Sequence, residues 1–445
     1  MFFREFELPT EPKFNDLTVS ILDFGAVADN ETDASRAINA AISHVSENGG
    51  GKVVVPAGVY YSKPITMQSN VNLYLEKGVR INFSDKWNDV MPAVFTRVEG
   101  IRCYSLRPLI YGVNLENVAI TGEGVLNGNG RRWWDNYVQK GKVGSTFKSA
   151  SANLTEMAAA GVPIEERVFD DENSLLRPYF LQILYSKNIW IEGVRFINSP
   201  FWCLCPTFSE NVIIRNVSFL SPKGSYNTDS VDIDSCKNVL VEGVRVDCSS
   251  DDGVVIKSGR DIDGRLADSP SENVLVRNCE FHCSGCAVAV GSETSGGIRN
   301  VYMHDITCDE CSAVVSLKTA PTRGNVIEDI VIENVKSNRS IGGVSISTHY
   351  CVSDSEKPDF TNMPKVRRVF YKNIDIDLCW HGMSVRGFEG HQLEDIHLEN
   401  IKIGCIESTL RIEHVDGIHI DGLNVYMDHE NTFDWRTVGH RGLEE

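Results

Sequence analysis

Asn227-Thr228-Asp229 and Ser249-Ser250-Asp251-Asp252-Gly253 bring three aspartates within 24 residues of one another. Asp229 and Asp251 are 22 residues apart. In a chain that repeats at about that period, the two carboxylates stack one strand spacing apart, about 4.8 Å. Carboxylates so close repel, and at least one keeps its proton at neutral pH. One protonated acid beside one ionised base or nucleophile is what cleavage of a glycosidic bond requires. Asp-Asp-Gly alone is ordinary turn chemistry. Its spacing from Asn-Thr-Asp lifts it above a turn.

The chain does repeat at such a period. Asn followed by alternating apolar residues occurs at Asn117, Asn188, Asn211, Asn238, Asn273 and Asn300, with weaker copies at Asp329, Asp395 and Gly417. From Asn188 to Asp329 the steps are 23, 27, 35, 27 and 29 residues. Alternation with period two marks strands with one buried face, so Val212, Ile214, Val217 and Phe219 are expected to point inward. Short strands recurring at this interval predict an all-β, single-domain solenoid spanning residues 1–445, a parallel β-helix with one coil per repeat. The handedness of parallel crossovers makes it right-handed. The recurring Asn fits a structural part, stacking into an amide ladder and accepting left-handed turn geometry.

A solenoid needs its open ends covered. Within a cap region at about 20–50, Asp33 to Ser46 reads as a helix with Ile38, Ala41, Ile42 and Val45 on one stripe. Asp33 or a neighbour is the expected N-cap, and Gly49-Gly50-Gly51 the stop. Between Arg131 and Leu176 the strand pattern lapses, and Leu154 to Ala160 looks helical. This is expected to be an excursion over the cleft rather than a second domain.

The net charge of −18 argues against nucleic acid and anionic membranes as partners, and no run of 18 apolar residues suggests a membrane span. An acidic glycan would also be repelled at long range, so its site would need a local basic cluster. The opening MFFREFELPTEPKF lacks the basic and long apolar stretches of a signal peptide, and the thirteen scattered cysteines do not suggest a disulfide framework. Both favour a cytoplasmic location.

The chain resembles the polygalacturonase family of glycoside hydrolases (family 28), especially its bacterial exo-acting, intracellular members. The motifs run in order: Phe24-Gly25-Ala26, Gly58-Val59-Tyr60, Asn198-Ser199-Pro200-Phe201-Trp202, Asn227-Thr228-Asp229, Asp251-Asp252, Ile256-Lys257-Ser258-Gly259-Arg260-Asp261, Gly291-Ser292-Glu293 and Lys318-Thr319. The resemblance implies an inverting hydrolase of pectin-type oligosaccharide or polysaccharide, with Asp251 as general acid and Asp229 and Asp252 activating water. It implies no cofactor. Asn227, Lys257, Arg260, Lys318, Tyr350 and Trp202 are the expected substrate-binding residues. Lys257, Arg260, Lys318 and Arg323 would supply the positive field, and the Trp202 and Tyr350 rings would be platforms for pyranose faces. Asp251 and Asp252 can share a cleft only at a bend, which Gly253 suits.

Three departures stand out. Cys205, Gly285 or Cys286, and Ser316 replace two histidines and an arginine of the family pattern. Serine cannot give the bidentate grip of a guanidinium on a carboxylate. A neutral or modified sugar beside the scissile bond, as in rhamnogalacturonan-type fragments, is therefore an alternative to plain polygalacturonate. Cys205, Asp229, Asp251, Cys286, Ser316 or Lys318, and Tyr350 recur at about one coil per step, which predicts one column along the cleft. The pairs Cys283–Cys286 and Cys308–Cys311 resemble zinc ligands, but buried stacked thiols explain them more simply, and no metal is expected. Two rival readings remain: a carbohydrate-binding β-helix without catalysis, and a polysaccharide lyase.

Overall fold

The computed structural model describes residues 3–138, 146–171, 174, 176–282, 285–352, 358–428 and 430–433. Cys283 of the proposed thiol pairs lies outside them. The architecture is a right-handed parallel β-helix. Its coils are well illustrated by the strands Val231–Asp234, Lys237–Glu242 and Arg245–Cys248, which pair in parallel with Val254–Lys257 and Ser271–His282 of the next coil. Towards the C-terminus the faces merge into bent strands such as Val326–Ser347 and Lys365–Arg386.

β-branched side chains stack on themselves along the interior. Ile189 pairs with Val212, and Val212 with Val239; Ile191, Ile214 and Val241 form the next file. Val212, Ile214, Val217 and Phe219 are all buried, as the alternation requires. Where the chain turns between faces, the recurring Asn takes the left-handed conformation, with φ of 55–58° at Asn117, Asn188, Asn211 and Asn238. Asparagine tolerates that region far better than a branched residue. Each amide then donates to the one in the coil before: Asn188 to Asn117 (2.9 Å), Asn211 to Asn188 (3.0 Å) and Asn238 to Asn211 (3.3 Å).

The capping helix is Ser35–Glu47, burying Ile38, Ala41, Ile42 and Val45. Its N-cap is Ala34, the neighbour of Asp33, and the Asp33 carboxylate accepts the Ser35 N–H at 3.0 Å and so does the capping work from one residue back. The chain then turns at Gly49, where φ is 91°.

One feature had no signal in the repeat pattern. Ile213, Leu240, Leu275 and Val331 point outward from their strands in one file, yet all are buried. The N-terminal segment lies along this side of the solenoid. Phe3 packs its ring 5.0 Å from Tyr302, Asn300 brackets Arg4 through both backbone groups (2.6 and 2.8 Å), and Glu11 pairs with Arg215. The arm thus runs outside the coils and keeps an apolar stripe from water.

The excursion holds two helices, Arg131–Val138 and Thr146–Ala159. Among the described residues, none of it lines the cleft itself. It braces the rim instead, with Ser151 Oγ donating to Glu99 Oε2 at 2.5 Å.

Candidate active site

Asp229 lies in the turn before strand Val231–Asp234, and Asp251 and Asp252 lie in the turn before Val254–Lys257. Val231 pairs with Val254, so the two turns are neighbours in successive coils. Because neither Asp251 nor Asp252 is in a strand, both carboxylates reach one cleft, as the bend required. Gly253 serves that bend by close approach: a Cβ there would sit 2.4 Å from the Phe281 ring.

The three carboxylates each place one oxygen within 4.8 Å of the other two. Three points that close fit in a circle of about 2.8 Å radius, so one position lies within hydrogen-bond reach of all three. They open onto a cavity of about 590 Å³ lined also by Trp202, Asn227, Glu293 and Tyr350.

Their charge states are held apart. Burial, then the neighbouring Asp251 charge, pushes the Asp229 pKa well above the ordinary carboxylate value. Burial, then Asp252, raises that of Asp251 as well. Burial also pushes Asp252 upward, but Lys318 and Lys257 outweigh it and hold this carboxyl below its ordinary value. Lys318 Nζ donates to Asp252 Oδ2 at 2.6 Å and the Cys286 backbone N–H donates to Oδ1 at 2.9 Å. The cluster therefore keeps Asp252 ionised and leaves a proton to be shared by its two neighbours. A divalent cation could bridge oxygens at this spacing, but the two ammonium groups already supply the positive charge.

Asn227 and Lys318, expected to bind substrate, line the cleft and spend their donors on Asp251 and Asp252. Asn227 has φ 54° and donates to Asp251 Oδ2 at 3.1 Å. Tyr350 is 37% exposed in the cleft, open to a sugar face. Two other expectations need correction. Lys257 is buried and bound to Asp229 (3.2 Å), Asp232 (2.9 Å) and Glu293 (3.5 Å), so it holds protein carboxylates together instead of gripping a ligand. Trp202 carries the Lys257 ammonium 3.3 Å from its ring centroid and stacks on Phe201. With both neighbours in place it supports Lys257, not a sugar.

The remaining cations are engaged too. Arg260 lies 3.6 Å from Glu99 and 3.5 Å from Asp261, and Arg323 donates to Asp261 at 2.5 Å. The single column of cleft positions is also not found. Leu204 pairs with Val231, which sets Cys205 beside Asp232 rather than Asp229. Cys286 pairs with Ala313, whereas Ser316 pairs with Ala289. Coils of unequal length shift the count between turns, so equal spacing in sequence does not mean equal height on the face.

Several contributors were invisible in the motifs. Gly285 and Cys286 act through their backbones: Gly285 N–H donates to Asp251 O at 2.7 Å, and a Cβ on Gly285 would meet the same turn at 2.7 Å. Arg177 is buried and donates to Asn227 Oδ1 at 2.6 Å, orienting the amide that reaches Asp251. Burial lowers its pKa to about 10. Arg97, from the hairpin Val94–Val98 and Ile101–Ser105, is fully buried 3.0 Å from Asp234. Gly259 of the Lys-Ser-Gly-Arg motif leaves room for it, since a Cβ there would fall 1.6 Å from the guanidinium. The described cysteines of the two pairs, Cys286, Cys308 and Cys311, are buried, and Cys308 and Cys311 direct their sulfurs at backbone carbonyls.

A parallel β-helix with three aspartates on adjacent turns defines a polysaccharide-active enzyme scaffold, and comparison with known proteins fixes its kind. Residues 169–421 match the family described as Glycosyl hydrolases family 28, and the chain belongs to that family. It is a polygalacturonase-like glycosidase. Residues 18–75 match a second description, Rhamnogalacturonase A/epimerase, pectate lyase-like. An exopolygalacturonase from Thermotoga maritima is 36% identical in sequence, with a TM-score of 0.82 over 92% of this chain and 94% of that one. A probable polygalacturonase of Vitis vinifera is 27% identical over 87% of this chain and 74% of its own length. The polygalacturonase of Erwinia carotovora shares the fold, with a TM-score of 0.65 at 20% identity over 94% and 99% of the two chains.

Proposed function

We propose that this enzyme removes sugars from the end of pectin-type oligosaccharides with inversion, Asp251 acting as general acid and Asp229 and Asp252 holding the attacking water. The observation that carries this reading is the split charge of one carboxylate cluster: Asp252 is held ionised by Lys318 while its neighbours are pushed towards the protonated form. Asp251 is the least buried of the three, which suits proton delivery to a leaving oxygen. The position within reach of all three oxygens suits the water. Removal from a chain end is supported by the helix that braces the Glu99 rim and by the likeness to an exopolygalacturonase.

Asp251→Asn is expected to lower kcat by about 10²–10⁴, the usual worth of a general acid, with the circular dichroism spectrum unchanged. Full activity in that variant would defeat the assignment. Two-carboxylate enzymes that invert keep their groups about 6.5–9.5 Å apart, wider than this cluster. The anomer released is therefore decisive: proton NMR should show first product opposite in configuration to the bond cut, and the same configuration would overturn inversion.

A second reading of the substrate rests on a separate observation. The four cations lining the cleft all have carboxylate partners, so a neutral or modified sugar beside the scissile bond meets less competition than a uronate. Mass analysis of products from galacturonan and rhamnogalacturonan oligomers separates the two.

A further inference from the structure

The last two coils carry a cluster that glycoside chemistry does not use. His397 and His419 are register partners on the strands Leu393–Glu413 and Val415–Met427, with ring centroids 4.4 Å apart and planes 19° from parallel. They continue an outward file that is apolar in earlier coils: Leu275, Tyr302, Val331 and Phe370 precede them in register. Two residues before His397, Asp395 stands in the left-handed turn position that earlier coils give to a ladder asparagine. In place of an amide that donates to the coil before it and accepts from the one after, this turn presents a carboxylate to two imidazoles. His397 Nε2 is 2.9 Å from Asp395 Oδ1, and His419 Nε2 is 3.8 Å from the same oxygen.

Each of the three residues offers one ligand atom within 4.8 Å of the others. A triangle with sides of 2.9, 3.8 and at most 4.8 Å fits in a circle of about 2.4 Å radius. A cation near its centre is a few tenths of an ångström from the 2.0–2.2 Å at which zinc takes nitrogen and oxygen ligands, once the His419 ring, whose side chain is 63% exposed, turns out of the stack to aim its Nε2 lone pair there. We propose that Asp395, His397 and His419 form a binding site for a divalent transition metal of the zinc class, leaving one coordination position to solvent. Two imidazoles and a carboxylate suit that class rather than calcium or magnesium.

The site links the final strand to the coil before it. Val415–Met427 is largely exposed along its length, with little burial of its own to hold it. A ligand that binds only the paired coils stabilises their pairing by mass action, and here it would do so where packing is thinnest.

The test is calorimetric titration of zinc chloride into the full chain after chelator treatment. The expected result is one equivalent bound at about micromolar affinity or better, with a zinc-dependent rise in unfolding temperature. His419→Ala and His397→Phe should each weaken binding at least tenfold. The phenylalanine variant keeps a ring stacked between Phe370 and position 419, so loss of metal there cannot be laid to a lost stack. Asp251→Asn and Cys351→Ser should leave the affinity unchanged, which separates this site from the cleft carboxylates and the exposed thiol. Absence of saturable binding in the wild type overturns the proposal, as does wild-type affinity in both histidine variants.

Discussion

Lys257→Met tests whether one buried ammonium holds the cleft floor together. The methionine matches its length and leaves Asp229, Asp232 and Glu293 without the cation that lies 3.2, 2.9 and 3.5 Å from them. Removing one partner from a buried ion pair costs about 3–5 kcal/mol, and that is the loss expected at neutral pH. The sign of its pH dependence follows from the carboxyls. Burial pushes Glu293 upward, but Lys257 and then Arg323 pull it down to about 2 from 4.5, so its contribution to stability is full above about pH 4.5 and is lost as pH falls towards 2. Asp232 stands at about 7 from burial even with Lys257 present. Without the lysine, each carboxyl keeps its proton to a higher pH in the folded state. Each extra proton held costs about 1.4 kcal/mol per pH unit as pH rises. The deficit of the variant should therefore shrink by about 2.7 kcal/mol between pH 7 and pH 5 for each such proton. Urea unfolding of both proteins at the two pH values, followed by tryptophan fluorescence, measures it. A deficit that stays constant over that interval, or one below about 1 kcal/mol at pH 7, would refute the reasoning.

Three further outcomes are expected. Lys318→Met removes the main cation acting on Asp252, so the acid limb of the kcat profile should move to higher pH while the fold survives; an unmoved limb would detach Lys318 from the chemistry. Arg177→Gln should lower kcat more than it changes KM and shift the alkaline limb upward, since Asp251 loses both a distant positive charge and a fixed Asn227 donor; a fall in stability with an unchanged profile would make Arg177 merely structural. Asn211→Ala combines a left-handed alanine with two broken ladder bonds, about 2–3 kcal/mol together, and Asn211→Gly should lose less; equal losses, read from denaturation midpoints, would remove the backbone part of the argument.

The coils were legible because a solenoid writes its core into the chain as alternation, and its turns as a recurring Asn whose geometry few residues accept. The aspartates were legible because their turns fall in neighbouring coils. Charge pairing was not. Nothing in Lys257-Ser258-Gly259-Arg260 distinguishes a lysine that grips substrate from one buried among three carboxylates, because burial of a polar side chain depends on the hairpin and coils packed above it. Arg97 and Arg177 arrive from distant segments for the same reason. Cys286 looked like a loss where the family pattern carries histidine, yet its backbone N–H, which no residue letter reveals, is what Asp252 accepts.

The N-terminal arm has a consequence for the order of assembly. Arg4 meets Asn300 across 296 residues, so the arm is made long before the coil that receives it. Closing so wide a loop is slow. Until it closes, Ile213, Leu240 and Leu275 face water on a solenoid that is otherwise complete in those coils, a sticky seam on a half-built molecule of the kind that invites aggregation. Docking of the arm then marks the finished protein, and its first residues are among the last to find their place.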